Sequence, residues 1–305
     1  MAKNLAQTLA EPAGTPMASR QIDLAAGRRA FMQTIGFGMA GAAVLGAAGV
    51  GPAAAQAVTD VDIFNFALNL EYLEAEFYTR AAFGQGLQAG DIEGTGAQGT
   101  VAGGRQVPFS DPNIRYYANE IANDELTHVR LLRSVLGGNK VARPSIDLNL
   151  SFTIAARSAG LVGPTGTFDA FANDLNFLLA AFIFEDVGVT AYKGAAPLIS
   201  DPANLSGAAR ILAVEGYHAG AIRALLYANG FYSQTQAISD ARDSLDGPAD
   251  LDQGIGTATT SNIVPSDAGG VAFSRTTQQV LNIVYLNANT QPTGFFPNGL
   301  NGTIR

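Results

Sequence analysis

The chain has no cysteine and only two histidines in 305 residues. The first absence excludes disulfides, thiolate metal sites and cysteine nucleophiles. The second confines any histidine chemistry to His128 and His218. Basic residues are also short: 18 Lys and Arg stand against 26 Asp and Glu, for a formal net charge of −8. Phosphate binding needs a basic face, so nucleic acid is excluded as a partner. What is plentiful is apolar. With 47% apolar and 14% charged residues, the chain can bury a core and does not have the composition of a disordered segment.

Residues 1–57 read as an address and not as part of the fold. Arg28 and Arg29 are followed by Phe31 and Met32, then by a weakly apolar run rich in Gly and Ala that closes on Ala55-Gln56-Ala57. A basic region, an apolar stretch and an A-x-A site form a secretory signal peptide, and the arginine pair resembles a twin-arginine export signal. The run is long enough to span a bilayer. However, it holds six glycines and lacks flanking positive charge on its far side, which argues against a retained anchor. The expectation is a periplasmic or secreted protein with no stable membrane insertion after cleavage.

Four helices are expected in residues 58–230. The first covers residues 60–82, with Phe64, Ala67, Leu68, Tyr78 and Ala82 at helical spacing, Asp60 as cap and Gly84 as stop. Residues 84–110 hold eight glycines and little periodicity, which predicts a loop. The second helix begins at Asp111-Pro112, stops at Gly137-Gly138, and carries the seam Ile114, Ala118, Ile121, Glu125, His128, Leu132 and Val135. A connection over 138–168 precedes the third helix, from about Thr167 to Ala195. The fourth runs from Asp201-Pro202 to near Gly230, with Glu215 and His218 on its seam. Residues 231–305 form a mixed extension packed on the bundle, with helical stretches at 233–245 and 275–286.

The second and fourth helices repeat each other. Each opens on Ser-Asp-Pro, carries a glutamate thirteen positions after the proline (Glu125, Glu215) and a histidine three further on (His128, His218). The first and third also match: Glu71 precedes Tyr78 by seven, and Glu185 precedes Tyr192 by seven. The chain is therefore a doubled helical hairpin, and its long central connection fits a crossover bundle.

Residues three apart share a helix face, so Glu125 and His128 aim at one point, as do Glu215 and His218. With Glu71 and Glu185 added, four carboxylates and two imidazoles converge in an apolar core. That is very unfavourable without cations, and two divalent ions neutralise four carboxylates. Oxygen-rich ligands with one imidazole per ion suit iron first and manganese second. A single E-x-x-H is common, but with 26 acidic residues in 305, a carboxylate three positions before both histidines arises by chance about once in 140. Glu74, one turn after Glu71, is a rival ligand or an outer partner. Glu76, Glu120 and Asp124 point elsewhere on the wheel and are expected to be solvated or to support the ligands from the next layer out, and Arg133 and Arg223 to form structural ion pairs. Tyr78 and Tyr192 read equally as core aromatics or as hydrogen-bond donors to ligand carboxylates.

This pattern is similar to that of the ferritin-like superfamily. NFALNLEYLEAEFY at 65–78, VLNIVY at 280–285 and GFFPNGLNG at 294–302 narrow the likeness to the ferritin-like domain family that includes plant desiccation-related proteins. The resemblance implies an all-α bundle with a dimetal carboxylate centre that reacts with O2 or peroxide. The long loop at 84–110 and the tail depart from cage-forming ferritins, so a monomer or small homo-oligomer is expected and not a 24-subunit shell. Three functional readings follow. The first is di-iron redox chemistry in stress protection, the second a manganese catalase, and the third a non-catalytic protein whose metals staple the bundle.

Overall fold

The first helix begins where its sequence supplies a cap. In this computed structural model, which describes residues 58–305, Thr59 accepts a hydrogen bond from Asp62 N and Asp62 reciprocates to the Thr59 backbone. Helix α1 (Asp60–Phe83) ends at Gly84, whose φ of 72° lies in the left-handed region. The short α2 (Ala89–Ile92) sits in the glycine-rich loop. Helix α3 (Pro112–Leu136) starts on Asp111, which accepts from Asn113 N. Helix α4 (Leu150–Ser158) follows, then α5 (Asp174–Ala195) and α6 (Pro202–Ala228), capped by Asn173 and Asp201. The extension contributes α7 (Tyr232–Asp246) and α8 (Thr277–Val284). The predicted signal segment, residues 1–57, lies outside the described residues.

The fold is the expected all-α ferritin-like bundle. Helix α1 packs chiefly on α3, and α5 on α6, so each predicted hairpin is a packing unit. Asp60 joins them at one end, where its carboxylate accepts from Ser200 N, Asp201 N and Asn204 Nδ2 at the start of α6. The Asn204 and Ser200 hydrogen bonds hold its carboxyl down to about 2. Two short ladders tie the loops together. Strand β1 (Val101–Ala102) runs parallel to β2 (Ile146–Asp147), and β3 (Gly256–Thr257) pairs antiparallel with β4 (Thr260–Ser261).

The central connection and the tail belong to the core. Phe152 of α4 and Phe295 of the tail meet edge to face with centroids 5.1 Å apart, and Phe295 meets Phe184 of α5 in the same way at 4.9 Å. Phe77 of α1 contacts Phe152, Phe171, Phe177 and Phe184 at 5.4–5.5 Å. Such ring pairs add about 0.5–1.5 kcal/mol each beyond the area they bury. Helix α5 is apolar and long enough to cross a membrane, but 83% of its apolar window is buried inside the fold, which explains its composition as that of a core helix.

Four expectations need correction. The cap of α1 is Thr59, while Asp60, expected there, is the first helical residue and turns its carboxylate to the start of α6. The connection over 138–168 contains α4, whose Thr153 exchanges hydrogen bonds with the Phe168 backbone. That bracing keeps residues near 168 out of the next helix, so α5 starts at Asp174 and not at Thr167. Val135, assigned to the inner seam, is 52% exposed, while Leu132 and Leu136 are buried. The seam drifts by one residue at the end of α3.

Candidate metal centre

Mid-bundle, the two E-x-x-H pairs of α3 and α6 meet Glu71 of α1 and Glu185 of α5. His128 Nδ1 lies 3.3 Å from Glu71 Oε2 and 3.5 Å from Glu125 Oε2 and from Glu215 Oε1. His218 Nδ1 lies 3.0 Å from Glu125 Oε1 and 3.6 Å from Glu185 Oε2. Two groups result. Glu71, Glu125, His128 and Glu215 bound one position, and Glu125, Glu185 and His218 bound the other, with donor atoms within 4.8 Å of one another in each. Glu125 offers one oxygen to each group, and the imidazole centroids are 6.2 Å apart.

These residues fit a metal pair. Glu71 Oε2, Glu185 Oε2, both oxygens of Glu125 and of Glu215, and Nδ1 of both histidines are buried without a hydrogen-bond partner. Each such orphan costs roughly 1–3 kcal/mol, and eight facing one another are intelligible only if something else satisfies them. A cation with ligand bonds of about 2.0–2.3 Å fills the gaps between donors at these separations. The donor set, oxygen-rich with one imidazole per position and no sulfur, suits a hard or borderline divalent ion.

Without metal, protons take the place of cations. Burial, reinforced by the charge of Glu125, pushes the Glu71 carboxyl up to about 7 against the opposing pull of His128. Burial and neighbouring carboxylates push Glu74 and Glu215 well above the carboxylate range, and burial raises Glu185. Burial works the same way on Glu125, but contacts from both imidazoles outweigh it and hold the group well below its ordinary value. Burial also disfavours the charged histidine rings, yet the carboxylates around them prevail; His128 is raised strongly and His218 is pushed up to about 12.

A second ring of contacts repeats with the hairpins. Tyr78 donates its hydroxyl to Glu185 and Tyr192 donates to Glu71, each crossing from one hairpin to the other. The residue after Glu71 and the residue after Glu185 are each held by the arginine five positions past a histidine: Arg133 donates to the Tyr72 hydroxyl at 2.6 Å, and Arg223 to Asp186 at 2.8 Å. Arg223 is thus the ion-pair former expected. Arg133 forms one as well, with the Glu93 carboxylate at 3.7 Å, and also donates to Tyr72 and to the carbonyls of Glu93 and Gly90. Glu76 is a correction. It is fully buried, neither solvated nor beside the metal position, and pairs with Arg80 at 2.9 Å and with Arg143.

Glu74 joins neither donor group but is buried beside Glu215. Asp124 touches the other ring nitrogen of His218, at 3.2 Å, and Glu120 is exposed. Sequence reasoning missed the charged network between the bundle and the tail. There Asp186, Asp246 and Asp252 meet Arg223, Arg242 and Arg275 in burial. It also missed Gly188, a glycine inside α5 where a Cβ would stand 2.3 Å from Glu215 Oε2.

A doubled glutamate and E-x-x-H set, facing inward from four helices on a buried centre, defines a ferritin-like protein. The chain belongs to the ferritin-like domain family, whose model matches residues 59–228. It is 34% identical over 265 residues to the desiccation-related protein PCC13-62 of Craterostigma plantagineum, covering 80% of this chain and 83% of that one. It is also 30% identical over 268 residues to the ferritin-like catalase Nec2 of Nesocodon mauritianus, covering 80% and 84%. No solved structure matches it.

Proposed function

We propose that this is an exported two-metal redox protein that consumes peroxide or O2 as protection against oxidative or drying stress. The observation that carries the reading is the shared position of Glu125, which faces both donor groups while each keeps its own histidine. Glu71, Glu125, His128 and Glu215 would hold one ion, and Glu125, Glu185 and His218 the other. When bound, the ions supply electron transfer to and from a small oxidant. The chain orients the ligands through Tyr78, Tyr192 and Asp124 and excludes bulk water by burial. Iron is the first assignment for both positions.

The catalase name of one relative favours a second reading, peroxide as sole substrate, in which two peroxides give one O2 and two waters. Manganese, which the same donor set suits, is the metal of that reading. Elemental analysis of protein purified from its own compartment separates iron from manganese. Turnover with peroxide, or with ferrous iron and O2, separates both from a bundle merely stapled by metal. A chain that binds two ions and turns over neither substrate supports the staple and overturns the proposal. Residues 1–57 direct twin-arginine export to the periplasm or beyond, and the protein works as a monomer or small homo-oligomer.

A further inference from the structure

Glu71 and Glu185 correspond in the repeat, so the residues three further on, Glu74 and Gly188, correspond as well. The pair breaks the symmetry of the site: one hairpin places a carboxylate there, the other no side chain at all. The space is used. A Cβ at Gly188 would lie 2.3 Å from Glu215 Oε2 and 3.5 Å from Glu74 Oε1. Glycine inside a helix costs about 1 kcal/mol relative to alanine, so here that cost is offset by the room left for the two carboxylates.

Glu74, Gly188 and Tyr192 also form the inner end of a cavity of about 20 Å³ between α1 and α5, room for one water-sized molecule. It reaches the donor group of His128 through two of its members: Tyr192 donates to Glu71, and Gly188 abuts Glu215. Glu74 makes no hydrogen bond there and is only 6% exposed. The remaining walls are apolar. Leu73, Ile183 and Val187 line the sides, half-buried Leu70 and Ala191 lie at the rim, and Val284 of α8 closes the roof.

We propose that this port is the route by which a small uncharged oxidant reaches the metals, while the cations enter elsewhere. The inference rests on the two-metal reading and adds the path its substrate takes. Moving an ion past apolar walls without partners carries a large desolvation penalty, whereas hydrogen peroxide or O2 carries no charge to desolvate. Half-exposed Asp124, in contact with His218, gives the cluster a separate polar approach from solvent for cations. The tail acquires a role too, because α8 sets the width of the port.

The test uses nitric oxide, an uncharged diatomic that binds ferrous iron, with the full mature chain under anaerobic conditions. Ala191→Phe fills the rim and Val284→Ala widens the roof. Ala191→Phe should take up two ferrous ions per chain at the wild-type rate, yet bind nitric oxide at least ten-fold more slowly. Val284→Ala should bind it several-fold faster with unchanged iron content. Unchanged on-rates in both variants overturn the port, as does ferrous uptake that slows in step with nitric oxide binding in Ala191→Phe. Should Ala191→Phe not fold, Val284→Ala decides alone, and no acceleration overturns the proposal. Wild type that holds no iron or manganese overturns the metal reading and the port with it. Wild type that holds two ions with indifferent variants overturns the port only.

Discussion

Asp124 of α3 reaches the histidine of the other hairpin, its Oδ2 lying 3.2 Å from His218 Nε2. That contact fixes the ring with Nδ1 toward Glu125 and Glu185. The repeat supplies no equivalent for His128, because the residue matching Asp124 is Val214. The two donor groups are therefore unequal. Outer-shell carboxylates of this kind contribute about 10–100-fold in metal affinity. Asp124→Asn should weaken the position at His218 by that factor and leave the position at His128 nearly unchanged, measured by chelator competition. Equal weakening of both, or of neither, sinks the assignment.

Much of this centre is legible in the sequence because helical spacing is a local rule. Glu125 with His128, and Glu215 with His218, fall on one face whatever surrounds them, and the repeat doubles the signal. Spacing leaves the tyrosines open between core and ligand support, because only tertiary structure shows that Tyr78 meets Glu185 and Tyr192 meets Glu71. Helix α4 was lost in a stretch flanked by Pro144 and Pro164, since nine residues give too little periodicity to detect. Gly188 and Asp186 were invisible for another reason. Their roles depend on Glu215, Arg223 and Arg242 arriving from other elements.

The buried charged network ties the tail to the bundle. Arg275 pairs with Asp246 at 2.7 Å and Asp252 at 3.1 Å and donates to Thr190 of α5. Removing one partner leaves buried charge uncompensated, which costs about 3–5 kcal/mol. Arg275→Ala should lower the urea midpoint by that equivalent. Arg105→Ala, which breaks an ion pair exposed on both sides, should cost less than about 1 kcal/mol. Similar losses for the two variants would mean that the tail is not anchored through these charges.

Export is tested on the precursor. Replacing Arg28 and Arg29 together by Lys keeps the charge and removes the arginine pair that the route reads. The variant should accumulate inside the cell at full length, seen by fractionation and intact mass. Undiminished secretion, or a mature protein that does not begin near Val58, would show that residues 1–57 serve some other purpose.

The acid–base state of the metal-free site sets its stability. Glu71 rises from 4.5 unperturbed to about 7 in the fold, so between those values the folded chain holds a proton that the unfolded chain releases. Its contribution is complete below about 4.5 and is lost as pH rises through 7. Glu74, Glu185 and Glu215 are shifted in the same direction. His218, raised from 6.5 to about 12, extends the loss: its contribution is full below 6.5 and disappears as pH climbs toward 12. Glu125, held below its ordinary value, acts oppositely and penalises only acid conditions below about 4.5. Metal-free protein should therefore melt highest near pH 5 and progressively lower toward pH 9. Metal binds the deprotonated ligands and stabilises the folded state by mass action, so the gap between holo and metal-free protein should widen with pH. Glu74→Gln removes a buried carboxylate that joins neither donor group, and should raise the metal-free melting temperature at pH 8 while leaving two ions per chain. Calorimetry between pH 5 and 9 decides. Metal-free protein that melts no lower at pH 8 than at pH 5, with Glu74→Gln no more stable, would show that these carboxylates do not share a buried site.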